Sequence, residues 1–426
     1  MAKPQTIPLR ELIEPDRSIS YGVVQPGSHV ACGIPIVRVG DVRNGEIQVS
    51  EPLRISEEIE AKYSRTRLRG GELIITIVGS VGQTAIVPKS LAGWNVARAI
   101  AVLPIRSEIG AYWVQLALRA PSVREQIDSR LNTTVQATLN LGDIAELPIL
   151  VPPLSDRERI SSILAAIDDK IKLNRRMNET LEAMARALFK DWFVDFGPTR
   201  AKQEGMEPYL APELWSLFPE RLDAEGKPEG WDLATIGQRF ALTMGQSPPG
   251  STYNEVGDGL PFFQGRTDFG FRYPKRRIFC SAPTRIAEMD DTLVSVRAPV
   301  GDINLAWEKS CIGRGVAALR HPNGYRSFTY HTAWALQLQL QQYEHTGTVF
   351  GAINKKQFES LRVCSPSREL LASFEDVVGP LDSRVRMNTD ESRTLAQTRD
   401  LLLPKLMSGE IRIQDAEKVV GRVSEA

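Results

Sequence analysis

Two kinds of hydrophobic pattern alternate along the chain. Short apolar, β-branched runs come first. Leu73 to Val78 and Ala99 to Leu103 have strand length, and Pro35-Ile-Val-Arg-Val-Gly reads as a short strand entering a turn. Tyr112 to Arg119 and Phe328 to Leu340 carry helical patterning. The period then changes. Beyond Pro152-Pro153, with Ser155 or Asp156 available as a cap, Ile160, Ile167, Asn174, Leu181 and Leu188 recur every seven residues. Ile163, Met177 and Met184 fill a second stripe, which Lys170 interrupts, completing a heptad pattern. Near the C-terminus Phe374, Leu381, Asn388, Leu395 and Leu402 repeat it, with a poorer second stripe of Val377, Arg384, Glu391 and Thr398. Gly379-Pro380 should kink or restart this second helix, and Pro404 should end or kink it.

The pattern is duplicated. GELIITIVGSVG (Gly71 to Gly82) resembles DDTLVSVRAPVG (Asp290 to Gly301), and TTVQATLN (Thr133 to Asn140) resembles GTVFGAIN (Gly347 to Asn354). Asn140 to Asn174 spans 34 positions, and so does Asn354 to Asn388, so one offset survives from the globular part into the helix. The reading is an α+β chain. Two similar mixed α/β units are joined by two long helices that form an antiparallel coiled coil, with Asn174 and Asn388 near its middle fixing alignment. The helix-pairing residues are Ile160, Ile167, Asn174, Leu181, Leu188, Leu381, Asn388, Leu395 and Leu402; the alternative is that the two Asn face water beside a core helix. The first helix would be a rod of roughly 55–60 Å at about 1.5 Å per residue. The expected boundaries are 1–152 and 231–366 for the globular units, 153–195 and 367–413 for the helices, 196–230 for a Pro-rich linker and 414–426 for a tail.

Composition narrows the function. Lys and Arg number 52 and Asp and Glu 52, so a globally basic nucleic-acid coat is excluded while a local basic face is not. No apolar run reaches membrane-helix length. Cys32, Cys280, Cys311 and Cys364 form no C-x-x-C pair, which points to reduced thiols in a cytoplasmic protein and no metal site. Phosphate-loop, dinucleotide-fold, H-E-x-x-H, nucleophile-elbow and amino-methyltransferase motifs are missing, which favours a binding protein over an enzyme.

Three segments carry a family resemblance: LFKDWFVDFGPTRAK (Leu188 to Lys202), PEGW (Pro228 to Trp231) and LLLPKLMSGEIRI (Leu401 to Ile413). Long, ordered and correctly spaced, they resemble the specificity subunits of type I restriction-modification systems over essentially the whole chain. The resemblance implies two target-recognition domains on an antiparallel coiled coil, with no catalytic centre. Each domain reads one half of a bipartite sequence in double-stranded DNA. The implied partners are two methyltransferase (modification) subunits, which methylate adenine at N6, and restriction subunits. It implies no cofactor in this chain, with S-adenosylmethionine, ATP and Mg in the partners. The weak second stripe and the residues beyond Ile413 depart from the family pattern.

Phosphate contacts give affinity and base-edge contacts give specificity. The phosphate candidates are Arg38, Arg43, Lys62, Arg65, Arg67, Arg69 and Lys89 in the first domain, and Arg266, Arg272, Lys275, Arg276, Arg277 and Arg285 in the second. Base-reading candidates are Arg98, Asn132 and Gln136, then Gln264, Arg297 and Arg314, with Arg98 and Arg314 as corresponding positions. Methyltransferase subunits would meet Lys170, Lys172, Arg175, Arg176 and Glu179 on the first helix. The competing readings are a fused restriction-methylation enzyme, for which the chain lacks the motifs, and a coiled-coil scaffold that reads no DNA sequence.

Overall fold

The computed structural model describes residues 4–131, 137–345 and 351–425. Helices and strands both contribute, at 43% and 20%. The chain divides into two units. One is Met1–Leu173 with Asp390–Ala426, and the other is Asn174–Thr389.

In the first unit a four-stranded sheet carries the core. Its strands follow the order Ser20–Tyr21, Ile100–Leu103, Leu73–Thr76, Thr84–Ile86. Ile100 pairs with Thr76 and Leu103 with Leu73 in antiparallel register. Strand Ile34–Val37 belongs to a second sheet, where Val37 faces Val96 in a parallel pair. Strands Gln5–Pro8 and Pro148–Val151 form a third. Both faces of Leu73–Thr76 are buried, which is why the run is continuously apolar rather than alternating.

The second unit repeats this plan. Its four-stranded sheet has the order Ala241–Met244, Val316–Arg320, Thr292–Ser295, Ile303–Leu305. Val316 pairs with Ser295 and Leu319 with Thr292, as Ile100 and Leu103 do with Thr76 and Leu73. Phe263 faces Ile312 in a parallel pair, as Val37 faces Val96. Strands Asp232–Thr235 and Arg362–Ser365 match the third sheet.

The long helices are Leu154–Phe193 and Arg368–Ser408. The first starts directly after Pro152-Pro153, so Ser155 and Asp156 lie within its first turn. In the first unit Ile160, Leu164 and Ile167 pack in one core with Leu395, Leu402 and Leu406. There Asp168 meets Arg399 at 2.7 Å and Lys170 meets Glu391 at 3.3 Å, so these segments run antiparallel. In the second unit Asn388 donates to Asn178 Oδ1 at 2.9 Å, while Phe189 and Phe374 have ring centroids 5.8 Å apart. These segments also run antiparallel.

Two expectations are corrected. The second stripe lies one residue further on than the periodicity suggested. Leu164, Asn178, Ala185 and Trp192 are buried, whereas Met184 is 50% exposed. In the second helix the stripe is Val378, Val385 and Leu406 rather than Val377 and Arg384. Leu181, Leu188 and Leu381 are accordingly only half-buried, beside Glu182 and Asp382, which are buried. The second helix also continues unbroken through Gly379-Pro380 and Pro404 to Ser408. A mid-helix proline costs about 3 kcal/mol. Phe374, Val378 and Val385, all fully buried around Pro380, each return roughly 1.5–3 kcal/mol.

The linker is not bare. It carries helices Gly197–Gln203 and Pro212–Trp215, and Phe218 packs 5.3 Å from Trp192. The tail forms a helix, Ile413–Glu425. Ala416 is fully buried in the first unit's core, and Glu417 pairs with Arg159 at 3.1 Å.

Candidate nucleic-acid interface

In each unit the backbone aligns segments that carry exposed side chains. In the first unit Ala97 N donates to Val37 O, and Ile77 N donates to Ala99 O, both at 2.8 Å. Leu139 N donates to Ile77 O at 2.9 Å, and Val78 bridges to Thr138. The strand end with Arg38, the segment with Arg98 and the loop after Thr76 are therefore neighbours. In the second unit Gly313 N donates to Phe263 O and Val296 N to Gly315 O, both at 2.9 Å. Ile353 N donates to Val296 O at 3.1 Å, and Arg297 bridges to Ala352. Residue by residue, Arg98 matches Arg314, Arg38 matches Gln264 and Val78 matches Arg297.

One loop design holds both rows. The Thr76 hydroxyl donates to Ser80 O and accepts from Gln83 N at 2.9 Å. The Ser295 hydroxyl donates to Pro299 O at 2.8 Å and accepts from Asp302 N at 2.9 Å. Gly82 and Gly301 turn the chain at φ 82° and 95°, a region open to glycine and strained for other residues. Ser80 and Gln83 thus serve this turn through their backbone groups. A carboxylate stands before each strand. Glu72 accepts from Arg69 N and Gly70 N and pairs with Arg17 at 2.8 Å. Burial pushes the Glu72 carboxyl up, but Arg17 and the backbone amides outweigh it and hold it below its ordinary value. Asp291 accepts from Glu288 N and pairs with Arg320.

The remaining candidates divide by charge partner. Arg98, Arg314, Gln264 and Arg297 are exposed. Arg98, Arg314, Arg65, Lys62, Lys89, Arg285 and Lys275 have no ion-pair partner among the described residues. Arg38 lies 3.7 Å from Asp41, and the Arg43 side chain donates to Gly40 O at 2.6 Å. Arg67 is half-exposed and clamps the buried Glu60, whose carboxyl its hydrogen bond holds below the usual range. Arg69 is exposed. Arg266 pairs with Asp302 at 2.9 Å, Arg276 with Glu308 at 2.5 Å and Arg277 with Asp268 at 2.9 Å. Of the Lys275-Arg276-Arg277 cluster, only Lys275 is thus unpaired among the described residues.

Arg272 is corrected outright. It is 2% exposed, and its guanidinium meets Glu182 at 2.7 Å and Asp382 at 2.6 Å, with the Tyr330 ring 4.3 Å away. It holds the second unit's core together and cannot reach a phosphate. Asn132 and Gln136 lie outside the described residues. On the first helix Lys170 pairs with Glu391 and Lys172 lies 3.8 Å from Glu46, while Arg176 and Glu179 are exposed and Arg175 is half-buried. Sequence spacing did not reveal the Arg38–Gln264 match, although the aligned repeats Gly71 to Gly82 and Asp290 to Gly301 already set Val78 against Arg297. The separation between equivalent residues shrinks along the globular part, from Val37 and Phe263 to Ala137 and Gly351, so no single offset finds them.

Among the described residues no cluster of three or more His, Cys, Asp or Glu is arranged to hold a metal, and no helix is long and apolar enough to cross a membrane. Two copies of one α/β design thus bring the same three backbone positions together, with an exposed arginine, Arg98 or Arg314, at the matched place in each.

Comparison with known proteins shows what the chain is similar to. Residues 30–183 match the type I restriction modification DNA specificity domain. The chain is 26% identical over 425 residues to a protein assigned as the MjaX type I restriction enzyme specificity subunit of Methanocaldococcus jannaschii, covering 96% of this chain and 95% of that one. It is 25% identical over 350 residues to the HindI specificity subunit of Haemophilus influenzae, covering 67% and 73%. The fold is similar to that of a type I restriction-modification S subunit from M. genitalium, with TM-score 0.52 at 16% identity, covering 95% of this chain and 96% of that one. Over nearly its whole length the chain is similar to type I restriction-modification specificity subunits.

Proposed function

We propose that this chain is the non-catalytic DNA-specificity subunit of a type I restriction-modification complex. Each unit acts as a target-recognition domain for one half of a bipartite site in double-stranded DNA. The long helices form the antiparallel coiled coil that joins the two domains and docks two methyltransferase subunits. Restriction subunits complete the complex. S-adenosylmethionine, ATP and Mg serve those partners, and the complex acts in the cytoplasm on adenine N6.

One observation carries this reading: the same hydrogen-bonded backbone framework recurs in both units, with an exposed arginine, Arg98 or Arg314, at the matched place. A bipartite target requires two readers of one design. Arginine suits both tasks at such a row, because its fork matches a phosphate or the O6/N7 edge of guanine. A coiled-coil scaffold alone gives no reason for two copies of an elaborate loop and its carboxylate cap.

Mapping adenine methylation genome-wide in source cells, with and without this gene, tests the proposal. A two-part motif with an unread gap is expected to lose N6-methyladenine when the gene is deleted. An unchanged map, in cells where a methyltransferase subunit co-purifies with this chain, contradicts it.

A further inference from the structure

The two units read different half-sites with one framework, so comparing them position by position separates common work from specific work. This rests on the reading of both units as DNA readers. Where the copies carry the same exposed side chain, its task is the same in both halves. Where they differ, the difference is available to distinguish bases.

Three matched positions bear on this. Arg98 and Arg314 are identical and exposed, and neither guanidinium has an ion-pair partner among the described residues. Their backbones are fixed alike: Ala97 and Gly313, one residue earlier, donate to the strand ends Val37 and Phe263. At the next position in the row Arg38 stands opposite Gln264. At the third, half-buried Val78 stands opposite exposed Arg297.

We infer that Arg98 and Arg314 are sequence-independent phosphate anchors, and that Arg38 and Gln264, with Val78 and Arg297, are specificity-determining positions. The chemistry fits the division. A free guanidinium at a fixed point supplies the same phosphate contact in either half. At the variable positions, Arg38 has the fork that pairs bidentately with guanine, and Gln264 has the amide that pairs bidentately with adenine. Val78 packs against the first unit's core and offers no hydrogen-bonding group, whereas Arg297 offers a second guanine fork.

The test uses the full-length chain with its methyltransferase partner. The probes are duplexes carrying the motif mapped for the wild type, and versions with single base-pair changes in either half. R314A is expected to weaken binding to every duplex by about tenfold and to flatten the salt dependence by about one unit of slope. It leaves base preference unchanged. R314K, which keeps the charge but loses the fork, retains affinity and preference. Q264R keeps the salt slope and changes preference at one base pair, by about tenfold or more, in one half only. The inference is overturned if R314K or R314A alters which base is preferred, or if Q264R leaves all preferences as in the wild type. A wild-type complex that binds every duplex equally overturns the functional reading itself, and this inference with it.

Discussion

Arg272→Ala lowers the stability of the second unit by about 3–5 kcal/mol, the cost of breaking a buried ion pair and stranding its partners. The effect is large because the substitution leaves two carboxylates, not one. Glu182 on the first long helix and Asp382 on the second are 4% and 5% exposed, and both depend on this guanidinium. Without it they are like charges in a water-poor core. Arg186, which pairs with Glu182 at 2.9 Å, lies on the outer side and offsets only part of the loss. Urea unfolding of the full-length chain, followed by tryptophan fluorescence, measures the change. The second unit dominates that signal, since it holds Trp192, Trp215, Trp231, Trp307 and Trp334. Replacing all three residues together by apolar side chains of similar volume restores most of the stability. A loss under about 1 kcal/mol for Arg272→Ala alone contradicts the account, since that is the range of an exposed pair.

Phe374→Ala costs about 3–5 kcal/mol in the same unit, by the lost transfer term and the cavity left behind. Phe374 is fully buried, with the rings of Phe189, Trp192 and Phe193 at 5.8, 5.7 and 5.1 Å. It therefore joins the end of the first long helix to the start of the second. The surrounding rings are large and mutually wedged, so the site collapses poorly and the upper part of the range is expected. Phe374→Leu fills most of the space and costs less than half as much. The same unfolding measurement checks both variants. Equal losses for the two would show that packing volume does not govern this core.

The sequence was most legible where one physical requirement dominates. Leu73–Thr76 and Thr292–Ser295 are buried on both faces, so their apolar runs are unbroken and the repeat between them is visible. Asn174 and Asn388 are both buried, as the heptad reading required. The second stripe was misread because its true members are not consistently apolar. Asn178 is satisfied by Asn388, Ala185 packs closely, and Arg399 is satisfied by Asp168, whereas the neighbouring Met177 and Met184 looked hydrophobic. Arg272 was misassigned for a related reason. A lone cation in a basic stretch gives no sign that two carboxylates, one far before it and one far after it, will enclose it. The proline positions were misread because local propensity was weighed without the packing around Phe374, Val378 and Val385. Of the candidate interface, Arg98 and Arg314 were recognisable as a pair. The Arg38–Gln264 match needed the backbone hydrogen bonds.

The central claim is that each unit reads its own half of one DNA site. The most direct test replaces residues 231–366 with the equivalent segment of a relative that has a different target, then maps adenine methylation in cells carrying the chimaera. The account predicts a new motif in which one half matches the relative, the other half is unchanged and the unread gap keeps its length. A motif altered in both halves, or unaltered in either, contradicts it.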